Sequence, residues 1–321
     1  MADMREATVR PANRGWQMVT VSDGFVRRMV DVYGAEGAAW IERLPAIVAE
    51  CEQRWLLQAC PSFEPLSYNY VAPVVLADGA AAVLKVGFPG PELLLEIEAL
   101  RIFDGDGYVR LIESDAGLGA MLLERLTPGT PLSSVEDDVR ATAIAAGVMR
   151  DHRNPIPPGS HFPTVADWTK GIARLRLRFE GGTGPLPPRL VEQAERLFVE
   201  FIPSSAEPVL LHGDLHHDNI LMAERRPWLA IDPKGLVGEP AYETGALLRN
   251  PRPLIASEQH LDRLMARRVA QLSDELGFDR QRVTGWGIAQ AVLSACWSVE
   301  DHGHGWELAI ACAEALAALI D

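Results

Sequence analysis

Residues 209–240, VLLHGDLHHDNILMAERRPWLAIDPKGLVGEP, constrain this chain more than any other stretch. Two short apolar runs, 209–211 and 228–231, read as strands, and each delivers an acid just past its end: Asp214 after the first, Asp232 after the second. Between them 220–222 is a third run, and the turn material at 223–227 predicts that it pairs with 228–231 as a hairpin. Asn219 then stands at the hairpin mouth. An Asp, an Asn five positions on and a second Asp match what phosphoryl transfer needs, with one carboxylate for the attacking hydroxyl and two oxygen ligands for Mg²⁺. A nucleoside triphosphate carries several negative charges, which divalent metal on hard oxygen ligands neutralises without blocking in-line attack.

Two blander readings compete. His212, His216 and His217 with Asp218 offer a transition-metal set, and Asp232 before Pro233 is a common way to start a turn. The joint spacing of Asp214, Asn219 and Asp232 favours the phosphoryl-transfer pattern over both.

HGDLHHDNIL followed by IDPKGLVGEPAYE resembles the aminoglycoside phosphotransferase family, within it the streptomycin 6-phosphotransferase and hydroxyurea phosphotransferase branch. The resemblance runs from about Leu66 to the C-terminal helices. It implies an α+β, protein-kinase-like two-lobed fold: a small antiparallel-sheet N-lobe over 1–126 and a mainly helical C-lobe over 127–321. It implies ATP, or another nucleoside triphosphate, with Mg²⁺. By the same resemblance Asp214 is the catalytic base, and Asn219 with Asp232 holds the metal. Glu243, in the Tyr-Glu pair, anchors the catalytic loop from below.

The nucleotide cover is read further upstream. Residues 66–77 and 80–86 form two strands around an Asp78-Gly79 turn, with Lys85 on the second. An isolated strand lysine is ordinarily a solvent-facing charge on an edge; with the two downstream acids, Lys85 reads as the grip on the α- and β-phosphates. In the family, the Glu of an E-x-x-x-L helix pairs with this lysine. Glu96 and Leu100 match, with Glu98 as the rival two residues on, unable to share the face. Ser67 and Asn69 occupy the phosphate-loop position, where no G-x-G-x-x-G is present. A strand over 120–126 ends at the hinge position, where backbone groups at Glu124 and Leu126 are expected to meet adenine.

Of thirty basic residues three are lysine, Lys85, Lys170 and Lys234, and two of these lie inside the motifs. The net charge of -14 argues against nucleic acid or an anionic membrane as partner and permits a cationic substrate. There is no apolar leader in the first twenty residues and no membrane-length apolar run, so a cytoplasmic location is expected, with no obligate protein partner. Cys51, Cys60, Cys296 and Cys312 lack paired spacing and read as reduced thiols.

Helices are expected at 22–31 and 38–58 before the sheet. More follow at 135–150, 168–179, 189–201, 242–248, 261–276, 287–300 and 306–320. The helix over 287–300 is apolar nearly all round and ends in Glu300 and Asp301 beside Trp297. Acids are disfavoured at a helix C-terminus, so either they solvate a helix end or, with Trp297, they grip a small cationic acceptor. The resemblance implies ATP-dependent O-phosphorylation of a small hydroxylated molecule, an aminoglycoside of the streptomycin type foremost. A metabolic or hydroxyurea-type kinase and a catalytically inactive nucleotide-binding protein are the alternatives.

Overall fold

The computed structural model describes residues 19–151, 154–205 and 207–320. Ser22 caps the first helix by accepting from Phe25 N. The two helices expected here form one element, α1 (Asp23–Arg54), broken at Gly34, whose φ of 57° favours glycine. It ends four residues before 58 because Leu57–Ala59 leave as an edge strand, β1.

Strands β2 (Tyr70–Leu76) and β3 (Ala81–Val86) form the expected hairpin, with Tyr70 opposite Val86 and Val75 opposite Ala81. After α2 (Pro91–Phe103) come β4 (Leu111–Asp115) and β5 (Ala120–Glu124), and the five strands form an antiparallel sheet in the order β1-β2-β3-β5-β4. Side chains alternate between its faces. Ala82, Leu84, Val86, Ala120 and Leu122 pack toward Phe25, Met29, Trp40 and Leu44 of α1. Met121 and Leu123 pack toward Leu93, Ile97 and Leu100 of α2. Lys85 lies on β3, the middle strand of five, and is 2% exposed. The edge-strand reading of this lysine is therefore excluded.

Past the sheet, β6 (Pro128–Pro131), α3 (Asp138–Asp151), α4 (Val165–Trp168), α5 (Lys170–Arg178) and α6 (Pro188–Phe201) lead to β7 (Val209–Leu211). Then β8 (Ile220–Ala223) and β9 (Trp228–Ala230) pair as the expected hairpin, Ile220 opposite Ala230, with β6 on its outer side. β10 (Leu236–Gly238) returns antiparallel to β7. The chain closes with α7 (Thr244–Leu248), α8 (Arg252–Ser257), α9 (Leu261–Leu276), α10 (Arg280–Asp301) and α11 (Glu307–Ala317). Helix α10, apolar on every side, is the axis of the larger core, flanked by α5, α6, α7, α9 and α11. It begins seven residues earlier than the apolar pattern predicts, because Asp279 caps it and Arg282 in its first turn forks onto the buried Glu239. Among the described residues no helix is long and apolar enough to cross a membrane.

One buried ion pair braces this larger core. Arg268 on α9 is fully buried and meets Asp138 at the start of α3 through Nε (3.1 Å) and Nη2 (2.5 Å). Asp138→Ala is expected to destabilise the fold by about 3–5 kcal/mol, because it strands a buried guanidinium. Glu300→Ala, which breaks the half-exposed Arg174–Glu300 pair, is expected to cost about 0–1 kcal/mol. Urea unfolding of both variants checks the contrast; equal losses would contradict it.

Candidate active site

The site is built where β3, the β7–β8 loop and the end of β9 meet. Burial alone would pull the Lys85 ammonium down, but the Asp232 and Glu96 carboxylates more than offset it and hold the group above its ordinary value, fully charged. Nζ donates to Glu96 Oε1 at 2.6 Å and to Asp232 Oδ1 at 2.9 Å. Glu96 on α2 is thus the partner, as expected. Glu98 is turned two residues around the helix and shares no ion pair with the lysine.

Asp232 sits in the left-handed region, with φ of 59°. That conformation is uncommon for a residue with a side chain, although Asp tolerates it better than most, and such residues cluster at working sites. One carboxylate oxygen is bonded to Lys85, which leaves Oδ2. Asn219 donates from Nδ2 to the Asp214 backbone carbonyl at 3.0 Å, which holds the side-chain amide with Oδ1 left over, and its backbone carbonyl accepts from Ile231 N at 2.9 Å. These two hard oxygens are the right donor chemistry for Mg²⁺.

His212 ties the two acid-bearing segments together. Its Nε2 donates to Ile231 O at 2.7 Å, and its Nδ1 accepts from Asp214 N at 3.2 Å. Burial lowers this imidazole to about 4, so it is neutral, with the proton on Nε2. Below it lies Glu243, 5% exposed, accepting from His212 N (2.8 Å), Gly213 N (3.0 Å) and Leu215 N (3.4 Å). Burial pushes its carboxyl up to about 7 against these donors. The anchoring role expected of Glu243 is met by three backbone bonds into the Asp214 loop.

The three histidines diverge. Both nitrogens of His212 are spent on backbone, His216 accepts from Asp218 N through Nδ1, and His217 is buried with neither nitrogen bonded. Among the described residues no three of His, Cys, Asp and Glu converge as metal ligands. Asp214 faces the opening between Arg249, whose Nη2 is 3.0 Å from Oδ1, and His216, whose Nε2 is 3.7 Å from Oδ2. Burial would raise its carboxyl, but His216 and Arg249 outweigh it and hold the group well below the usual carboxylate range. Arg249 carried no sequence signal of its own; it arrives through the turn after α7, 35 residues downstream.

The remaining expected residues surround this centre unevenly. Ser67 is exposed in a loop that Arg28 of α1 secures by donating to the Ser67 and Leu66 carbonyls. Asn69 lies against Gly87, where a Cβ would meet its Oδ1 at 2.6 Å. The Glu124 carboxylate is occupied by a fork from Arg225 (3.0 and 2.9 Å), and its backbone N–H is bonded to Arg110 O, so neither group is free for the adenine contact expected there. Leu126 belongs to the cluster under the sheet's end.

At the far side, Trp297 stands edge-on to Trp168 at 5.2 Å. Glu300 is not a free acid: Arg174 of α5 donates Nε and Nη2 to its two oxygens at 2.6 and 2.8 Å, and this fork compensates the acid at the helix end. Asp301 has no such fork and lies within electrostatic reach of Tyr33, Tyr68 and Glu92. Burial, only partly countered by His302, raises its carboxyl. Tyr68 Oη and His302 Nε2, 3.0 Å apart, bridge the phosphate-loop position to the end of α10.

Residues 54–302 match the model of the aminoglycoside/hydroxyurea antibiotic resistance kinase family. The chain is 35% identical over 296 residues to the streptomycin 6-kinase of Streptomyces griseus, covering 88% of this chain and 92% of that protein. It is 37% identical over 278 residues to the hydroxyurea phosphotransferase of Kitasatospora aureofaciens, covering 84% and 77%. In three dimensions it is similar to an aminoglycoside phosphotransferase from Streptomyces rimosus solved with ADP and streptomycin, with a TM-score of 0.53 and 15% identity over 77% of this chain and 97% of that one. That likeness gives the fold, the protein-kinase-like two-lobed α+β arrangement.

His217 supplies a test by pH. Burial, aided by Arg268, lowers its imidazole from 6.5 to about 3. A base whose folded value is depressed contributes stability above its unfolded value and loses it as pH falls toward the folded one. Stability is therefore expected to fall from about pH 6.5 toward 3, and His217→Leu is expected to flatten that slope. Melting temperatures at pH 7, 5.5 and 4.5 in both proteins check it; parallel curves would show that His217 does not contribute.

Proposed function

This chain belongs to the aminoglycoside/hydroxyurea antibiotic resistance kinase family, and from that premise we propose that it transfers the γ-phosphoryl group of ATP to a hydroxyl of a streptomycin-type aminoglycoside, inactivating the antibiotic. The observation that carries the reading is the buried Lys85 ammonium held between Glu96 and Asp232. A binding module has no need to keep a charged lysine at that depth together with a carboxylate such as Asp214 in the same centre.

In this mechanism Lys85 grips the α- and β-phosphates, oriented by Glu96. Asn219 Oδ1 and Asp232 would hold Mg²⁺, which supplies charge neutralisation across the phosphates. The acceptor hydroxyl sits against Asp214. A carboxylate held as far down as this one does not remove an alcohol's proton at the outset; it aligns the hydroxyl and takes the proton late, as the bond to phosphorus forms, which a loose transition state permits. The invariant work of the protein is positioning, achieved through His212 and the Glu243 anchor beneath the loop.

The acceptor is proposed to lie between Asp301, Tyr68 and the mouth of α2. A guanidinium there meets a carboxylate and aromatic faces. With Glu300 engaged by Arg174, one acid is left for such a contact instead of two. That observation keeps a second reading in play, a small neutral acceptor such as hydroxyurea. Transfer of radiolabelled phosphate from ATP to streptomycin, to other aminoglycosides and to hydroxyurea decides between them; labelling of none would sink both.

Asp214→Asn is expected to keep nucleotide affinity and lose about 10²-fold or more in turnover. Lys85→Arg is expected to weaken both affinity and rate, since a planar guanidinium cannot replace a compact ammonium between two carboxylates. Wild-type behaviour of either variant in steady-state kinetics would remove that residue from its role. For a cationic acceptor, Asp301→Asn is expected to raise its KM and reduce the salt dependence of KM, whereas a neutral acceptor shows almost no salt effect. An unchanged KM and salt slope would place the acceptor elsewhere.

A further inference from the structure

The turn between α7 and α8, Leu247-Leu248-Arg249-Asn250, is held in an unusual way. Arg268, fully buried on α9, donates from Nη1 to three carbonyls: Leu247 at 3.1 Å, Leu248 at 3.3 Å and Asn250 at 2.6 Å. Its Nε and Nη2 are fixed on Asp138. Asn250 adds a bond from Nδ2 to Ala246 O at 2.9 Å. A buried guanidinium thus clamps the backbone on both sides of Arg249, although burying such a charge is costly in itself. The residue between the clamped positions is the one that reaches the active site. Arg249 Nη2 is 3.0 Å from Asp214 Oδ1, and its Nε is buried with no bonded partner.

We infer that Arg249 is a positioning residue for Asp214: it occupies Oδ1 and so turns Oδ2 toward the acceptor hydroxyl. This rests on the reading of Asp214 as the base. The terminal torsion of an Asp side chain is broad and nearly two-fold, so a carboxylate without such a bond presents either oxygen at many angles. His216 does not supply the restraint, because its Nε2 is 3.7 Å from Oδ2, beyond hydrogen-bond range. The transfer itself is unchanged: the acceptor oxygen bonds to phosphorus, the bond to the ADP oxygen breaks, and the hydroxyl proton passes to Oδ2. The Arg268 clamp makes the aim rigid. Small misplacements at a reacting centre cost rate far more than they cost binding.

The test is a double-mutant cycle on Asp214→Asn and Arg249→Gln, with Arg249→Lys as a milder variant should the first fold poorly. Two reactions are followed: transfer of radiolabelled phosphate from ATP to streptomycin, and release of phosphate from ATP to water, which needs the base and no acceptor. Arg249→Gln is expected to lower kcat by roughly 30- to 100-fold with the KM for ATP changed by less than about 2-fold. Arg249→Lys keeps the charge and loses the planar donor, so it falls between. In the Asp214→Asn background, removing Arg249 is expected to cost no more than about 2-fold further, since nothing is left to aim. Equal losses in both backgrounds, or a raised KM for ATP at unchanged kcat, overturn the inference in favour of a structural or phosphate-binding role. Wild type that releases phosphate to water but labels no acceptor refutes the acceptor assignment and leaves the Arg249 cycle readable. Absence of both reactions refutes the role of Asp214 and this inference with it.

Discussion

A buried ammonium has to be paired, and Lys85 meets that requirement from two directions at once. Glu96 comes from a helix on one face of the sheet, and Asp232 comes from a loop almost 150 residues downstream. An unpaired charge on a central strand would be intolerable. The contact therefore couples α2, β3 and the end of β9, and with them the two lobes. The apolar cluster beneath it has the same composition: Leu93, Ile97 and Leu100 of α2, Met121 and Leu123 of the sheet, and Ala223 and Leu229 of the hairpin. Packing brings the segments together, and the ion pair sets their register.

The second half of the site depends on a neutral imidazole. Protonated, His212 would present two donors, and Nδ1 could no longer accept from Asp214 N. Burial keeps it neutral, so that one ring holds Asp214 and Ile231 in fixed relation. Glu243 completes the support by taking three N–H groups that would otherwise be buried without partners, a loss comparable to several broken hydrogen bonds. Mobility of the acids is thereby removed before any substrate arrives, the arrangement that electrostatic catalysis rewards.

The proposed acceptor side is organised differently. Asp301, Tyr33, Tyr68 and Glu92 come from four separate segments, and α1, which lies largely before the residues matched by the family model, supplies both Tyr33 and the Arg28 bonds that secure the Ser67 loop. The charge distribution is polarised. Arg249 stands at the reacting end beside Asp214, while the acid lies at the mouth. On the proposed reading, a cationic acceptor places its hydroxyl inward and its charge outward.

Much of this was legible in the chain itself. The hairpin over 220–230, the lysine strand and the helix over 261–276 follow from local periodicity and turn residues, because neighbouring positions along the chain decide those features. Glu96 over Glu98 rested on the family resemblance, through the E-x-x-x-L spacing to Leu100; helix geometry adds only that the two acids cannot share a face. The starts of α10 and the end of α1 were misplaced because caps and an edge strand interrupt periodicity without altering composition. What only the tertiary structure decided are the long-range pairings: Arg174 on Glu300, Arg225 on Glu124, Arg268 beneath the α7–α8 turn and Arg249 on Asp214. An arginine's reach of several ångströms and its many partners leave no periodic trace in sequence. Which acid is free and which is engaged is set by the helix that happens to pack opposite, and that is a property of the assembled core.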